Sequence, residues 1–137
     1  MTIYELLQAD HQTIRELLAH LSETSSDQTM LRRTLFARVR HELLRHAQTE
    51  LDVFYAALLE QGADKELVFD AIEDHAAVTF MIGEVETLSV HEKGWFEALM
   101  DLSRAVQRHV RVEEDVIFQK ARKYLPDVEL LQSMLEH

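Results

Sequence analysis

The sequence predicts an all-α protein, an antiparallel up-down-up-down four-helix bundle, from three observations. Only three glycines and one proline interrupt its 137 residues, which favours long uninterrupted helices. Apolar residues recur at alternating spacings of three and four positions in four long stretches, as in helices that face a common core. The links between these stretches are short, and short links place neighbouring helices antiparallel. The length fits a single domain over residues 1–137.

The helix boundaries follow from capping signals. Thr2 is the expected N-cap of the first helix, and Glu5 completes a capping box. Gly62 is expected to cap the C-terminus of the second helix, and Pro126 ends the fourth. The predicted helices span 2–21, 30–60, 64–88 and, after a turn at 91–94, 95–125, with a polar linker at 22–29 and one more short helix at 128–135.

Composition and charge exclude several classes of function. The chain has no cysteine, which excludes disulfide scaffolds, zinc ribbons, iron–sulfur clusters and cysteine nucleophiles. Its 14 basic and 25 acidic side chains give a net charge of −11, which repels nucleic acid and anionic membranes. There is no uncharged apolar run of about 18 residues, so no membrane span is expected. The first residues lack the features of a secretory signal, and we therefore expect a cytoplasmic protein.

Six polar side chains interrupt the apolar stripes that are predicted to face the core. Burying an unpaired carboxylate is very unfavourable, so each buried glutamate needs a compensating partner. Residues four apart lie about 40° apart around a helix, so the histidine and the glutamate of an HxxxE box point the same way. A histidine–glutamate ion pair explains one such box by itself, whereas a bound cation explains all six groups together. The candidate ligands are His11, His46, Glu50, His75, His109 and Glu113.

The candidate ligands belong to a repeat that divides the chain into two related helical hairpins. The Asp-His pair at positions 10 and 11 recurs at positions 74 and 75, and the HxxxExDV segment at 46–53 recurs at 109–116. Each hairpin therefore offers one histidine followed by an HxxxE box, and the helix lengths bring all six groups to one level of the bundle. Imidazole and carboxylate together suit iron, manganese, zinc or copper, and two imidazoles per hairpin favour a dinuclear site.

With these motifs the sequence resembles the hemerythrin HHE cation-binding family. The family pattern is a histidine in the first helix, HxxxE, a histidine in the third helix, and then HxxxE or HxxxxD. The match covers nearly the whole chain. The resemblance implies two non-haem iron ions, bridged by carboxylates and by an oxo or hydroxo group, rather than manganese or zinc. By this resemblance, His11 and His46 would bind one iron, and His75 and His109 would bind the other. Glu50 and Glu113 would bridge the two irons.

The sequence departs from the family's oxygen carriers in one histidine. Those proteins have a fifth histidine in an HxxxH pair on the third helix, whereas here Ala71 and Thr79 stand four residues before and after His75. By the resemblance, each iron then keeps an open position or a water. Such a pair favours reaction with peroxide or nitric oxide over reversible oxygen storage. Thr79 is expected on the inner seam, where its hydroxyl would hold a water.

The function implied by the resemblance is binding of, or reaction with, oxygen, peroxide or nitric oxide in redox sensing or an oxidative-stress response. An enzymatic form would turn over peroxide as a catalase or peroxidase does. A sensing form would signal to a protein partner or to a second copy of the chain. The alternative is an iron-handling or iron-responsive interaction module without turnover.

The remaining histidines are expected outside the site. His41 and His46 are one residue too far apart for the HExxH zinc motif and point about 140° away from each other. His20, His91 and His137 are predicted at the surface. The apolar pattern also assigns a further set of residues to the core: Val53, Phe54, Ala57, Phe80, Trp95, Val116 and Phe118.

Overall fold

A computed structural model of the chain describes residues 1–127, which fold into four long antiparallel helices. The all-α four-helix bundle predicted from the sequence is confirmed. The helices are Ile3–Ser22, then Thr29–Thr49 continued by Glu50–Tyr55 and Ala56–Glu60, then Lys65–Glu86, and finally Lys93–Val112 continued by Glu113–Ile117 and Phe118–Ala121. The short helix predicted at 128–135 lies outside the described residues. Within residues 1–127, no helix is both long and apolar enough to span a membrane.

Local signals in the sequence set the helix ends. Thr2 Oγ1 accepts a hydrogen bond from the Glu5 N–H, and the Thr2 N–H donates to Glu5 Oε1, both at 3.1 Å. The predicted capping box is therefore confirmed. At the third helix, Asp64 Oδ1 accepts from the Glu66 N–H at 3.1 Å. Gly62 has a φ of 82°, the left-handed conformation that favours glycine after a helix, and it separates the second helix from the third.

Two apolar clusters fill the interior of the bundle, one toward each end. One cluster packs around Trp95 and Leu99, and the other packs around Tyr4, Phe54 and Phe118. Every long helix contributes to both clusters. Along the first three helices, the residues predicted as ligands lie between the stretch that enters one cluster and the stretch that enters the other. Along the fourth helix Glu113 does so, and His109 lies one turn before it. The candidate site is therefore a polar layer in mid-bundle, enclosed on both sides by apolar side chains.

Two turns of the bundle are π-helical, and each begins at the glutamate of an HxxxE box. A π turn forms i→i+5 hydrogen bonds and takes up one extra residue, which moves the following side chains on by one position. Of the predicted core positions, Val116 is therefore wrong because it is exposed, and Val53 and Ala57 are only half-buried. The buried side chains lie one residue later: Phe54, Leu58 and Ile117. Phe80 is also wrongly assigned to the core, since its side chain is 70% exposed.

Candidate metal centre

The structure brings all six candidate ligands together in the mid-bundle layer. The four histidines form two pairs, each of which joins two helices. Nε2 of His11 lies 3.2 Å from Nε2 of His46, and Nε2 of His75 lies 3.2 Å from Nε2 of His109. Two imidazole nitrogens that bind the same metal ion, each at about 2.1 Å from it, lie about 3 Å apart. Both pairs therefore have the spacing of neighbouring ligands.

Glu50 connects the two histidine pairs from the second helix. Its Oε1 lies 2.8 Å from Nε2 of His46 and 3.0 Å from Nε2 of His75. The side chain is completely buried, and within residues 1–127 Oε1 forms no hydrogen bond of its own. A buried carboxylate oxygen that faces two imidazole nitrogens in this way fits a bound cation.

Glu113 makes the matching connection from the fourth helix. Its Oε1 lies 3.1 Å from Nε2 of His11, and its Oε2 lies 3.2 Å from Nε2 of His109. This side chain is also completely buried. Burial raises the pKa of a carboxyl, but the imidazoles of His109 and His11 that face it outweigh burial and hold the pKa of Glu113 well below its usual range. The carboxylate is therefore ionised, as a metal ligand must be.

The donor atoms form two groups that share both glutamates. Within each group all donor atoms lie within 4.8 Å of one another. One group consists of His11, His46, Glu50 and Glu113, and the other consists of Glu50, His75, His109 and Glu113. Each group offers two imidazole nitrogens and two carboxylates, a donor set that suits iron, manganese or zinc.

Two imidazoles of the layer have raised pKa values in the protein without metal. Burial lowers the pKa of His46, but the charge of Glu50 and the hydrogen bond to Asp10 outweigh burial and raise it to about 10. For His109, the hydrogen bond and charge of Glu113 likewise raise the pKa against the effect of burial. A cation that binds here displaces protons from these imidazoles, so its binding must weaken as the pH falls.

Tyr55 is a residue of the layer that the sequence analysis missed. Its O–H donates a hydrogen bond to Glu113 Oε2 at 2.9 Å and also lies 3.2 Å from Glu50 Oε2 and 3.5 Å from Nε2 of His75. Residues five apart diverge on an α-helix and come together only in a π turn. Burial first, and then the charges of Glu50 and Glu113, raise the pKa of Tyr55, so the phenol keeps its proton.

Replacing Tyr55 with phenylalanine is expected to destabilise the metal-free protein. The substitution removes the hydroxyl that contacts both buried carboxylates, and a hydrogen bond to a charged group contributes about 1.5–3 kcal/mol. Urea unfolding of the metal-free protein at pH 7 measures the loss. Tyr124→Phe, at an exposed tyrosine, is the matched control and should leave the free energy of unfolding unchanged. Equal stability of Tyr55→Phe and the unmodified protein would contradict this role.

A small cavity of about 30 Å³ lies beside the four histidines, on the side toward the Trp95 cluster. Apart from the imidazoles, most of its lining is apolar and includes Leu43, Ile82, Val106 and Val110. One water needs about 10–15 Å³ of such space, so the cavity has room for a ligand of two or three atoms.

Thr79 lines this cavity together with the four histidines, but it is exposed to solvent rather than buried on the inner seam as expected. Its Oγ1–H donates to the His75 carbonyl at 3.0 Å, within its own helix. Ala71, on the other side of His75, is buried in the apolar cluster around Tyr4. Neither position offers a further ligand, and this half of the layer has two imidazoles.

The other histidines of the described chain lie outside the layer, as predicted. His20, His41 and His91 are all exposed. His137 lies outside the described residues. The exposed histidines are therefore suitable control positions for measurements of metal content.

A buried layer of histidine pairs and shared carboxylates inside a four-helix bundle defines a metal-binding helical protein. Residues 2–121 match the model of a known family, the hemerythrin HHE cation binding domain. The chain therefore belongs to the hemerythrin HHE family, and the resemblance seen in its motifs is confirmed.

A solved structure has a similar fold. It is the crystal structure of a hemerythrin HHE cation binding domain-containing protein from Mycobacterium kansasii, with a TM-score of 0.78 and 23% sequence identity. The similarity covers 98% of this chain and 78% of that chain. At this identity it establishes the fold alone. A comparison with curated proteins finds no match to the sequence.

Proposed function

We propose that this chain is a non-haem diiron protein that binds or reacts with oxygen, peroxide or nitric oxide. The sharing of Glu50 and Glu113 by two groups of donor atoms carries the proposal, because both carboxyl groups would then lie within reach of two cations. Membership of a cation-binding family supports it as well. The proposed ligands are His11 and His46 for one iron, His75 and His109 for the other, and Glu50 and Glu113 for both.

Iron would supply the redox chemistry that these side chains lack. The chain itself supplies the positions, the charge balance and the enclosure. The carboxyl groups of Glu50 and Glu113 would offset part of the cationic charge, and Tyr55, which keeps its proton, contacts both by its hydroxyl. The apolar clusters on either side enclose the layer along the bundle axis. Each iron would receive four protein ligands, which leaves coordination positions for a small molecule.

The cavity beside the histidines supports a small ligand. Its size admits two or three atoms, and its apolar lining favours weakly hydrated molecules such as oxygen or nitric oxide. Because Ala71 and Thr79 supply no fifth imidazole, both positions have the same number of protein donors. Oxygen storage is expected of a site in which one iron is saturated by protein ligands and the other is open. Two positions with equal numbers of protein donors favour instead a reaction at two irons that are both open.

An iron-handling or iron-responsive interaction module is the second candidate function. The Nδ1 atoms of His75 and His109 are buried and, among the described residues, form no hydrogen bond. Imidazoles that lack such a partner are less firmly oriented as ligands. One half of the layer therefore has a feature of a site that loads and releases iron.

Elemental analysis and an absorption spectrum of protein expressed with iron test the proposed function. We expect two irons per chain and oxo-bridge absorption that changes when peroxide or azide is added. Rapid consumption of peroxide would favour the catalase-like or peroxidase-like form, and weakly held, exchangeable iron without turnover would favour iron handling. A folded chain that carries no iron, or a single zinc, would overturn the diiron proposal.

A further inference from the structure

The first pair of histidines is anchored on its outer side by carboxylates from other helices. The Nδ1–H of His11 donates to Glu114 Oε2 at 2.7 Å, and the Nδ1–H of His46 donates to Asp10 Oδ2 at 2.9 Å. Such a carboxylate fixes the orientation of the ring and makes Nε2, the nitrogen that faces the layer, a stronger ligand.

Arginines hold both of these carboxylates in place. Arg45 Nη2 lies 2.7 Å from Asp10 Oδ1, and Arg15 Nη2 lies 3.4 Å from Glu114 Oε1. Asp10 is buried and Glu114 is largely buried. Each imidazole of this pair therefore ends a chain of contacts from arginine to carboxylate to histidine.

The second pair lacks this support. Nδ1 of His75 is buried without a hydrogen-bond partner in the described part of the chain. Nδ1 of His109 lies 3.7 Å from Asp74 Oδ2, beyond hydrogen-bond distance, and the Asp74 side chain is 57% exposed. The two halves of the layer match in their inner ligands and differ in what holds those ligands from outside.

The sequence repeat accounts for this difference. Asp74 is the counterpart of Asp10 in the second hairpin, but it does not reach its histidine. The counterpart of Glu114 in the first hairpin is Leu51, which packs against the apolar cluster around Tyr4. A leucine therefore stands where His75 would need a carboxylate, so the asymmetry is encoded in the chain.

We propose that the two metal positions hold iron unequally, with Asp10 and Glu114 as positioning residues for the tighter one. The position at His11 and His46 retains its ion, and the position at His75 and His109 releases its ion first. This inference rests on the proposed dinuclear site. Removing the outer hydrogen-bond partner of a ligating histidine typically lowers metal affinity by about 10–100-fold, which sets the expected difference between the positions.

Release of iron into a chelator measures the inequality directly. The full chain is loaded with Fe(II) without oxygen, separated from excess metal, and mixed with an excess of a chelator that absorbs light when it binds Fe(II). We expect two phases of one iron each, with rates that differ by about tenfold or more. The readout is iron transfer and needs no catalytic activity.

Variants assign the phases to the two positions. Asp10→Asn and Glu114→Gln should accelerate the slow phase about tenfold or more and leave the fast phase unchanged. Asp74→Asn is the matched control, since Asp74 occupies the equivalent position without reaching its histidine, and it should leave the slow phase unchanged. Leu51→Glu, with its helical content checked by circular dichroism, should slow the fast phase.

Two results separate failure of this inference from failure of the proposed function. Release of two irons in a single phase, or an effect of Asp10→Asn and Glu114→Gln on the fast phase alone, overturns the inequality and leaves the dinuclear site intact. Uptake of no more than one iron from excess Fe(II) rejects the dinuclear site and the inference with it. If Leu51→Glu fails to fold, Asp10→Asn and Glu114→Gln still show whether the slow phase of iron release belongs to the position at His11 and His46.

Discussion

Replacing Glu50 or Glu113 with glutamine is expected to reduce the metal content from two ions per chain to one or none. Each glutamate is completely buried and touches one histidine of each pair. Glutamine keeps the size of the side chain but removes the negative charge that both cation positions share. An uncompensated cationic charge in a buried layer is very unfavourable. We therefore expect the substitution to weaken metal binding at both cation positions and not at one alone.

Elemental analysis after gel filtration measures this loss, with circular dichroism to establish that the variants remain helical. His20→Ala and His41→Ala are the controls, since both histidines are exposed outside the layer, and each should retain two metals. Retention of two metals by both glutamine variants would exclude the bridging role of the glutamates.

The sequence was sufficient to predict the bundle and the six residues that meet in its polar layer. Helical periodicity identifies the face that each residue occupies, and the repeat places the two HxxxE boxes at equal depth. Both signals come from local geometry. Predictions from both signals are therefore reliable as far as Glu50 and Glu113, because the second and fourth helices keep regular α-helical spacing to the residue before each glutamate.

Beyond each glutamate the α-helical spacing no longer holds because the hydrogen bonding changes, although Phe54 and Phe118, which the sequence analysis assigned to the core, are buried. Nothing in the letters of the HxxxExDV segment distinguishes an α turn from a π turn, yet the π turn moves Phe54 inward in place of Val53. It also brings Tyr55 to the carboxylates. The one signal in the sequence that singles out Tyr55 is the comparison of the two repeated segments. Tyr55 corresponds there to Phe118, so its hydroxyl is the difference between two otherwise similar aromatic residues.

The outer partners of the histidines were equally beyond the reach of periodicity. Glu114 and Asp10 bind imidazoles on other helices, so their roles depend on how the helices are rotated against one another. Periodicity describes each helix alone, and it classes Glu114 as one more member of an acidic surface. Only the packed bundle distinguishes it from Asp115, its exposed neighbour.

Raising the pH from 6.5 toward 10 is expected to destabilise the metal-free protein. The pKa of His46 is raised from 6.5 to about 10 in the folded chain, because the charge of Glu50 and the hydrogen bond to Asp10 outweigh burial. The folded state therefore holds a proton that the unfolded state releases. The stabilisation from this proton is fully present below pH 6.5 and is lost as the pH rises through 10. Glu113, whose pKa is lowered, gives the opposite trend: its stabilisation is present above pH 4.5 and is lost as the pH falls further.

Thermal unfolding of the metal-free and iron-loaded proteins between pH 6.5 and 9 tests the effect expected of His46, both without and with iron. The melting temperature of the metal-free protein should fall across this range. Iron must displace the proton of His46, so iron binds more tightly as the pH rises, and the gap between the two melting temperatures should widen. His41→Ala should keep the same dependence, because His41 is exposed. A constant or rising melting temperature of the metal-free protein would contradict the proposal that His46 is protonated in the folded chain. In that case no proton at His46 would compete with iron for the imidazole.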